Sequence, residues 1–443
     1  MKILVLGGDG RAHALVWKLF NSASADVFVA PGNGGATQLA PMVEIDPTNA
    51  VEVARWAFDE GVDLIVPADS SSLAAGLVDE VVTMHIGVCG PAQRAVQLEQ
   101  SRCFARNLLE RHRLPLLRGR VCSDLATAEK YLAAQPLPVI IRADQPEHGE
   151  GVYSDRYSAL EALRTMFADA SLSGPVAGVV IEEHRPGIVV RMSALTDGSN
   201  AIPLLPARIY DQLGPDPDSP AAPGMGAICN NSVYSQRLGA HINSQIIQPL
   251  VAALSLEHIP YWGFLGVDCL ITDQGPRVVA LRSSLGDMEA QVVLPRLDDD
   301  LVPLLEAAVA HRLAALPAPR WRDEAVVALG LVAQGYPHHF PIGAAVEGLS
   351  DVDPGILVFH SQTQNPGAMR YMPSSHGGGL AALLRGGSSL KSAATYVTGG
   401  HVAAVVASSA TLAGARGRAL LNAERITFPG RMFREDIGAH EFR

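Results

Sequence analysis

The N-terminal region, Met1 to Pro91, constrains the fold most. Lys2 to Leu6 is an apolar run of strand length, closed by Gly7-Gly-Asp-Gly10 and followed by a helical pattern from Ala12 to Phe20. The strand signal recurs at Asp26 to Val29, Asp63 to Val66 and His85 to Val88, with helical patterns at Ala50 to Asp59 and Leu73 to Met84. Strands alternating with helices predict a parallel sheet with right-handed crossovers and a ligand edge at the carboxyl ends of its strands. The glycines after the first strand let backbone approach a ligand closely, although a tight structural turn would use them equally. A dinucleotide fingerprint is incomplete. His13 stands at the third glycine, and Ala30-Pro-Gly-Asn33 rather than an acid ends the second strand.

The rest of the chain divides at Gly90-Pro91 and again at Pro317-Ala-Pro-Arg320. A helix is expected from Gln93 to His112. A small unit from Gly119 to Arg191 follows, with helices at Leu125 to Ala134 and Ser158 to Phe167 and strands at Pro138 to Ala143 and Val176 to Glu182. Its loop between Arg142 and Val152 contains Gly149 and Gly151, a glycine pair able to cover phosphates or to form a plain hairpin. Beyond a proline-dense loop from Leu213 to Pro223, helices are expected at Ile242 to Leu256 and Pro295 to Leu316. The last unit carries strands near Ala325 to Ala333, Ile356 to His360, Ala394 to Thr398 and His401 to Ala407, then a helix from Leu412 to Asn422.

Between these lies the stretch with the most chemistry. Gly266 to Ile271 and Val278 to Leu281 read as two strands joined by an Asp273-Gln-Gly-Pro276 turn, and Gly286-Asp287 begins a further turn bearing Asp287 and Glu289. The chain is 48% hydrophobic with a net charge of -11, which argues for a packed globular protein and against general attraction to nucleic acid or anionic membrane. No apolar run approaches a membrane span, and five scattered cysteines without a CxxC pair fit reduced thiols in the cytoplasm. His338-His339, beside two prolines and without a spaced partner, reads as a surface loop, and no nucleophilic triad or zinc motif is present.

Nine short signatures occur in order. They are Gly8-Asp-Gly-Arg-Ala-His-Ala14, Ala30-Pro-Gly-Asn33, Gly90-Pro91 with Gln97-Leu-Glu-Gln-Ser101, Val180-Ile-Glu-Glu183 and Gly224-Met-Gly-Ala227. Gly263-Phe-Leu265, Gly286-Asp287, Gly335-Tyr-Pro337 and Phe433-Arg-Glu-Asp-Ile-Gly438 complete the set. Together they resemble glycinamide ribonucleotide synthetases, the phosphoribosylamine–glycine ligases of purine synthesis, over essentially the whole chain. The resemblance implies an α/β ATP-grasp fold in three parts. These are a Rossmann-like parallel-sheet domain at 1–102, an ATP-grasp domain at 103–322 with a lid at about 119–191, and a small α+β domain at 323–443. It implies an enzyme that makes an acyl phosphate from an acid and ATP and captures it with an amine, in a site that steadies phosphate charge and excludes water.

Carried over by position, the family's two phosphate lysines fall at Arg102 and Arg142. Its glycine loop falls at Gly149 and Gly151, with Glu150 in place of a lysine, and its adenine and ribose hinge at Glu182 and Glu183. The two arginines could instead pair with local carboxylates. The amine-substrate side falls at Gly8, Gly10, Arg11 and Asn33, with Asp287 and Glu289 as the catalytic carboxylates and Arg282 among the substrate-binding groups. The family's metal-binding Glu and Asn fall at Ala280 and Arg282, which cannot ligate a hard cation. Asp268 on the facing strand is a lone candidate metal ligand, or a solvated strand residue. The family's Gly-Gly-Arg near the C-terminus is Gly399-Gly400-His401, and Ile188-Val189, Ile209, Asp211, Gln212 and Ala221-Ala222 replace further polar positions.

The expectation is therefore a repurposed carbon–nitrogen ligase acting on a small amine or acid, with ATP a candidate cofactor and magnesium a poor one. A non-catalytic homologue that serves a partner protein and an ordinary family enzyme are the alternatives. Oligomeric state stays open. If the cleft is closed by its own side chains, Arg282 and Glu150 are expected to pair across it.

Overall fold

The computed structural model describes residues 1–168, 178–216, 219–371 and 394–439. The expected strand positions 176–177 and residues 217–218 of the proline-dense loop lie outside them. The chain begins with four parallel strands, β1 (Lys2–Gly7), β2 (Asp26–Pro31), β3 (Leu64–Pro67) and β4 (Gly87–Val88), ordered β2-β1-β3-β4. Ile3 to Leu6 and Leu64 to Val66 are buried because helices cover both faces of such a sheet. Asp9 caps the first helix, Gly10–Phe20, by accepting from the Ala12 amide, which fixes the turn at the sheet's carboxyl edge.

The second unit is an antiparallel sheet of β5 (Gly119–Cys122), β6 (Val139–Ala143), β7 (Glu150–Tyr153) and β8 (Val179–Glu183), ordered β5-β8-β6-β7. The glycine loop is the β6–β7 hairpin. A single helical turn, Pro146–His148, and a left-handed Gly149 close it, placing Arg142 directly opposite Glu150.

A large sheet follows, made of β9 (Ile188–Thr196), β10 (Ala201–Pro203), β11 (Ala207–Gln212), β12 (Ala221–Cys229), β13 (Gly263–Thr272), β14 (Gly275–Arg282) and β15 (Ala325–Ala333). Two short strands, β16 (Ala345–Val346) and β17 (Leu357–His360), precede β18 (Thr363–Gln364), β19 (Thr395–Val397) and β20 (His401–Ser409). Pairing of β12 with β15 carries one sheet through the order β14-β13-β9-β11-β12-β15-β20-β17. The segment after 322 thus extends the central sheet, and its Leu412–Ala423 helix covers a shared apolar layer with Val327, Leu329 and Val405.

Several long helical patterns are broken by identifiable residues. The expected helix from Gln93 to His112 splits into Gln93–Gln100 and Arg102–Arg111, because Ser101 is extended and its hydroxyl caps the second by accepting from the Phe104 amide. Gly76, left-handed at φ 87, divides the Leu73 to Met84 pattern. Asp300 starts a new helix, Leu301–Val309, inside the pattern expected to run from Pro295 to Leu316.

Asn33 ties the first domain to the last. Its Nδ2 donates to the carbonyls of Gly8, Asp9 and His360, and its Oδ1 accepts from the Gly35 and Ala36 amides. The bonds to the His360 carbonyl and from the Gly35 and Ala36 amides are buried, so removing the side chain leaves those partners unsatisfied. Asn33→Ala should lower unfolding stability by about 2–4 kcal/mol, read as a shifted denaturant midpoint. A change below about 0.5 kcal/mol, the size of an ordinary surface substitution, would contradict this assignment.

Candidate functional site

One cleft and one turn carry the polar chemistry, and the end of β14 joins them. The cleft holds about 620 Å³, open solvent included. One wall is apolar, with Leu98, Leu109, Leu116, Val278 and Leu281, while Arg102, Arg106, Arg142 and Arg282 line the polar side. Arg102 and Arg106 stand one turn apart on the helix Arg102–Arg111, Arg142 comes from β6 and Arg282 ends β14. Glu99 and Glu182 line the same cleft, so its four guanidiniums suit an anion that displaces their carboxylates, while the apolar lining suits a flat ring.

Each arginine already has a carboxylate. Arg102 Nη2 donates to Glu150 Oε2 at 2.9 Å and Arg142 Nε to the same oxygen at 3.0 Å. Both Glu182 oxygens are taken, one by Arg106 and one by Arg142, and Arg106 also reaches Glu110 at 2.8 Å. Beneath them Asp268 lies between Arg191 and Arg282. Its Oδ1 accepts from Arg191 Nε at 2.5 Å, and its Oδ2 from Arg191 Nη2 at 2.9 Å and Arg282 Nη2 at 3.0 Å. Arg282 lies 3.9 Å from Glu99. Arg102, Arg106, Arg142, Arg191 and Arg282 balance Glu99, Glu110, Glu150, Glu182 and Asp268, so the wall is formally neutral.

Burial alone would raise the Asp268 carboxyl, but the Arg191 and Arg282 guanidiniums overcome it and hold the group well below the usual carboxylate range. Burial lowers Arg102, with Glu150 opposing. Glu183 feels burial first, yet the Arg118 amide and Arg185 bring it below its ordinary value.

These contacts revise several expectations. Arg282 and Glu150 do not pair with each other. Register sets Glu150 opposite Arg142 on the neighbouring strand, while Arg282 follows Asp268 across the β13–β14 hairpin. Asp268 is buried and ion-paired, not solvated. Glu182 and Glu183 do not present free carboxylates to a base or sugar, because the first serves two arginines and the second holds Arg118 and Arg185. Gly149 faces no neighbour within reach of a Cβ, whereas a Cβ on Gly151 would sit 2.7 Å from the Tyr153 hydroxyl.

A divalent cation does not fit this wall. Ala280 faces Asp268 in the strand register and offers no ligand atom. Among the described residues, no group of three or more His, Cys, Asp and Glu side chains could hold a metal ion. Both oxygens of Asp268 serve guanidiniums, and a hard cation wants several free oxygens.

The second centre lies where the segment after Arg282 reaches the first sheet. Four residues separate Arg282 from Asp287, so their Cα atoms are at most about 17 Å apart. The expected turn at Gly286-Asp287 is the start of a helix, Asp287–Val293. Glu289, at the third position of that helix, accepts from the N-cap Gly286 amide at 2.9 Å and from the Ser193 amide and hydroxyl at 2.8 and 2.9 Å. Fully buried and saturated, Glu289 is a brace rather than a catalytic carboxylate. Asn33 is likewise occupied by backbone. Gly8 and Gly10 are crowded, since a Cβ would come 3.0 Å from the Gly32 carbonyl and 2.2 Å from Gln291 Nε2, respectively.

Asp287 remains available. Its Oδ1 accepts from Gln291 Nε2 at 2.8 Å, its Oδ2 lies 3.6 Å from His401 Nδ1, and 24% of its side chain is exposed. Arg11 stands beside it, held by Asp9 at 2.6 Å and by the Leu285 carbonyl at 3.1 Å. Burial and then the Asp9 carboxylate raise Asp287 above the ordinary carboxylate range, with His401 and Arg11 pulling the other way. Asp287 and Asp211 reinforce the burial that pushes Tyr336 to about 12. Sequence reading placed His401 at the family's Gly-Gly-Arg position without linking it to Asp287, and it assigned no role to Gln291 and Asp9 here or to Arg106, Arg191 and Glu99 in the cleft. For Asp9 the helix-cap position next to Arg11 is a usable signal, and for Gln291 the four-residue helical spacing from Asp287 is another; Arg106, Arg191, Glu99 and His401 reach Glu182, Asp268, Arg282 and Asp287, respectively, only through tertiary packing.

Comparison with known proteins decides the ancestry. The phosphoribosylglycinamide synthetase N domain matches residues 1–99, the ATP-grasp (A) domain of that family residues 100–290, and its C domain residues 326–440. The chain belongs to the phosphoribosylglycinamide synthetase family. The phosphoribosylamine–glycine ligase of Mesorhizobium japonicum is 33% identical over 442 residues, covering 99% of this chain and 98% of that protein. The trifunctional purine biosynthetic protein adenosine-3 of Gallus gallus is 30% identical over 444 residues, which span 42% of its length. The phosphoribosylamine–glycine ligase structure from Thermotoga maritima superposes with a TM-score of 0.76 at 21% identity, covering 99% of this chain and 100% of that one. A biotin carboxylase from Campylobacter jejuni, at 12% identity and a TM-score of 0.68 over 97% of this chain and 92% of that one, shares the fold. The α/β ATP-grasp architecture therefore holds along the whole chain.

A carboxyl whose folded pKa is raised contributes stability at low pH that is lost as pH rises through the folded value. Asp287→Asn should therefore raise Tm at about pH 7, with the gain shrinking as pH falls and gone near pH 4, the unfolded value of Asp. Thermal unfolding across that range checks it. A variant less stable than the wild type at every pH would contradict the assignment.

Proposed function

We propose that the protein is an ATP-dependent carbon–nitrogen ligase of the phosphoribosylamine–glycine ligase type, joining a small carboxylic acid to an amine. The observation that carries this reading is the cleft, with an apolar slot facing four guanidiniums, in a chain matched to the family from end to end. ATP is the co-substrate it fits, with its base against Leu98, Leu109 and Leu281 and its phosphates toward Arg102, Arg142 and Arg282. In the reaction an acid oxygen takes the terminal phosphoryl group, ADP leaves, the amine nitrogen attacks the acyl carbon and phosphate departs.

The chain's own groups divide that work. Arginines steady the phosphates, and the Glu150 hairpin is placed to exchange its ion pairs for them as a ligand enters. At the far end Asp287, flanked by Asp9 and His401, suits the amine as an ammonium and is placed to accept its proton before attack. Burial, reinforced by the Asp9 carboxylate, raises Asp287 above its ordinary value, the direction that makes a carboxylate a better proton acceptor. The substrates on this reading are small molecules rather than nucleic acid or membrane, consistent with the acidic net charge. Among the described residues no helix is long and apolar enough to cross a membrane, and Cys89, Cys103, Cys122, Cys229 and Cys269 are all buried free thiols that suit the reducing cytoplasm.

A specific observation favours a second reading. The neutral balance of the arginine wall and the missing metal ligands suit a cleft reassigned to another ligand, in a repurposed enzyme or a binding protein. One experiment separates the two. Purified protein is incubated with ATP, a panel of small amines and a panel of amino and other carboxylic acids, and ADP release is followed. The ligase reading expects ADP only when both an amine and an acid are present, with Asp287→Asn about 100-fold slower or worse. No ADP above background with any pair, the phosphoribosylamine–glycine pair included, would sink it in favour of the second reading.

A further inference from the structure

The metal positions carry a consequence beyond that activity, and it rests on the ATP reading of the same cleft. We propose that Arg282 is a built-in cation standing where the family places a metal ligand, so that the cleft binds its nucleotide without a divalent ion. Ala280 and Arg282 occupy the two positions that the resemblance assigns to the metal, and Asp268 lies across the hairpin from Ala280. To ligate a metal, Asp268 would have to release two guanidiniums that hold it at 2.5 to 3.0 Å. Loss of one partner from so buried a pair is expensive, because it strands a charge in a poorly solvated place.

Arg282 itself is well placed for the substitute role. Its Nε and Nη2 are anchored on Asp268, at 3.3 and 3.0 Å, which fixes the plane of the guanidinium. Its Nη1 has only a long 3.9 Å approach to Glu99, and 36% of the side chain is exposed along the wall shared with Arg102 and Arg142. A guanidinium has five donors, so donors beyond the Asp268 contacts remain to meet phosphate oxygens. Arg191 supports the arrangement from below. It pairs with Asp268 bidentately and passes over Gly286, where a Cβ would come within 2.6 Å of its Cδ. Asp268 therefore keeps one partner even when Arg282 is replaced. The competing account makes Arg282 a plug that fills the place of a nucleotide, and the two differ in the sign of its removal.

Calorimetric titration of the full chain with ATP and with ADP, each in excess magnesium and in EDTA, tests the proposal. Wild-type protein should bind with dissociation constants that agree within about threefold between the two buffers. Arg282→Ala should weaken binding in EDTA about tenfold or more, and Arg282→Lys, which keeps the charge without the fork, should fall between. The double variant Ala280→Glu with Arg282→Asn restores the family's ligand types and should bind only when magnesium is present. Thermal unfolding of each variant establishes that it is folded, and either Arg282→Lys or the double variant suffices should Arg282→Ala fail to fold. Wild-type binding that requires magnesium overturns the proposal while leaving the ATP reading intact, as does tighter binding by Arg282→Ala in EDTA. No binding of either nucleotide in either buffer removes the ATP reading itself, and the proposal with it.

Discussion

The buried pair of Asp268 with Arg191, extended to Arg282, is the interaction on which the site depends. It sits where three strands meet. Asp268 on β13 faces Arg191 on β9, and Arg282 ends β14. An unpaired carboxylate at this depth would be neutral or strongly destabilising, so the two guanidiniums are a condition for having an acid there at all. Arg282 ends β14 at this pair, and the chain runs on to Gly286, Asp287 and Glu289, where Arg191 also packs closely against Gly286. The triad therefore links the cleft wall to the acidic turn at the first sheet.

The arginine wall illustrates a general trade between charge and pre-organisation. Free guanidiniums crowded together would repel one another and lower their own pKa values, as burial already does for Arg102. Intervening carboxylates from Glu150 and Glu182 remove that penalty and hold each fork in place. The cost falls on ligand binding, because an incoming anion must displace an internal one. Glu150 is the natural one to yield. It is half exposed, on a short hairpin closed by a single turn, whereas Glu182 is buried with both oxygens occupied.

The architecture was legible in the sequence because it depends on periodicity and punctuation. The βαβ alternation, the hairpin around Asp273 and the glycine-terminated first strand each follow from local patterns that tertiary structure did not override. Helix breaks were less legible. Ser101 and Asp300 interrupt apolar runs that look continuous, and their role as caps shows only in side-chain geometry. For the site, motif positions located the correct segments but not the state of each side chain. Asn33, Glu182 and Glu289 all fall where motifs point, yet each is saturated by neighbours. In several cases those neighbours lie between 40 and 327 residues away, as with Arg142 and Glu182 or Asn33 and His360, and no local pattern reports them. The pairing of Glu150 was misread for a related reason, since strand register rather than sequence distance chose Arg142 as its partner.

A crystal structure of the unliganded protein grown with abundant magnesium tests the central claim most directly. The account predicts Asp268 bonded to Arg191 and Arg282 at the distances given above, with no metal density beside Ala280. A magnesium ion on Asp268 with the Arg282 side chain swung into solvent would contradict it.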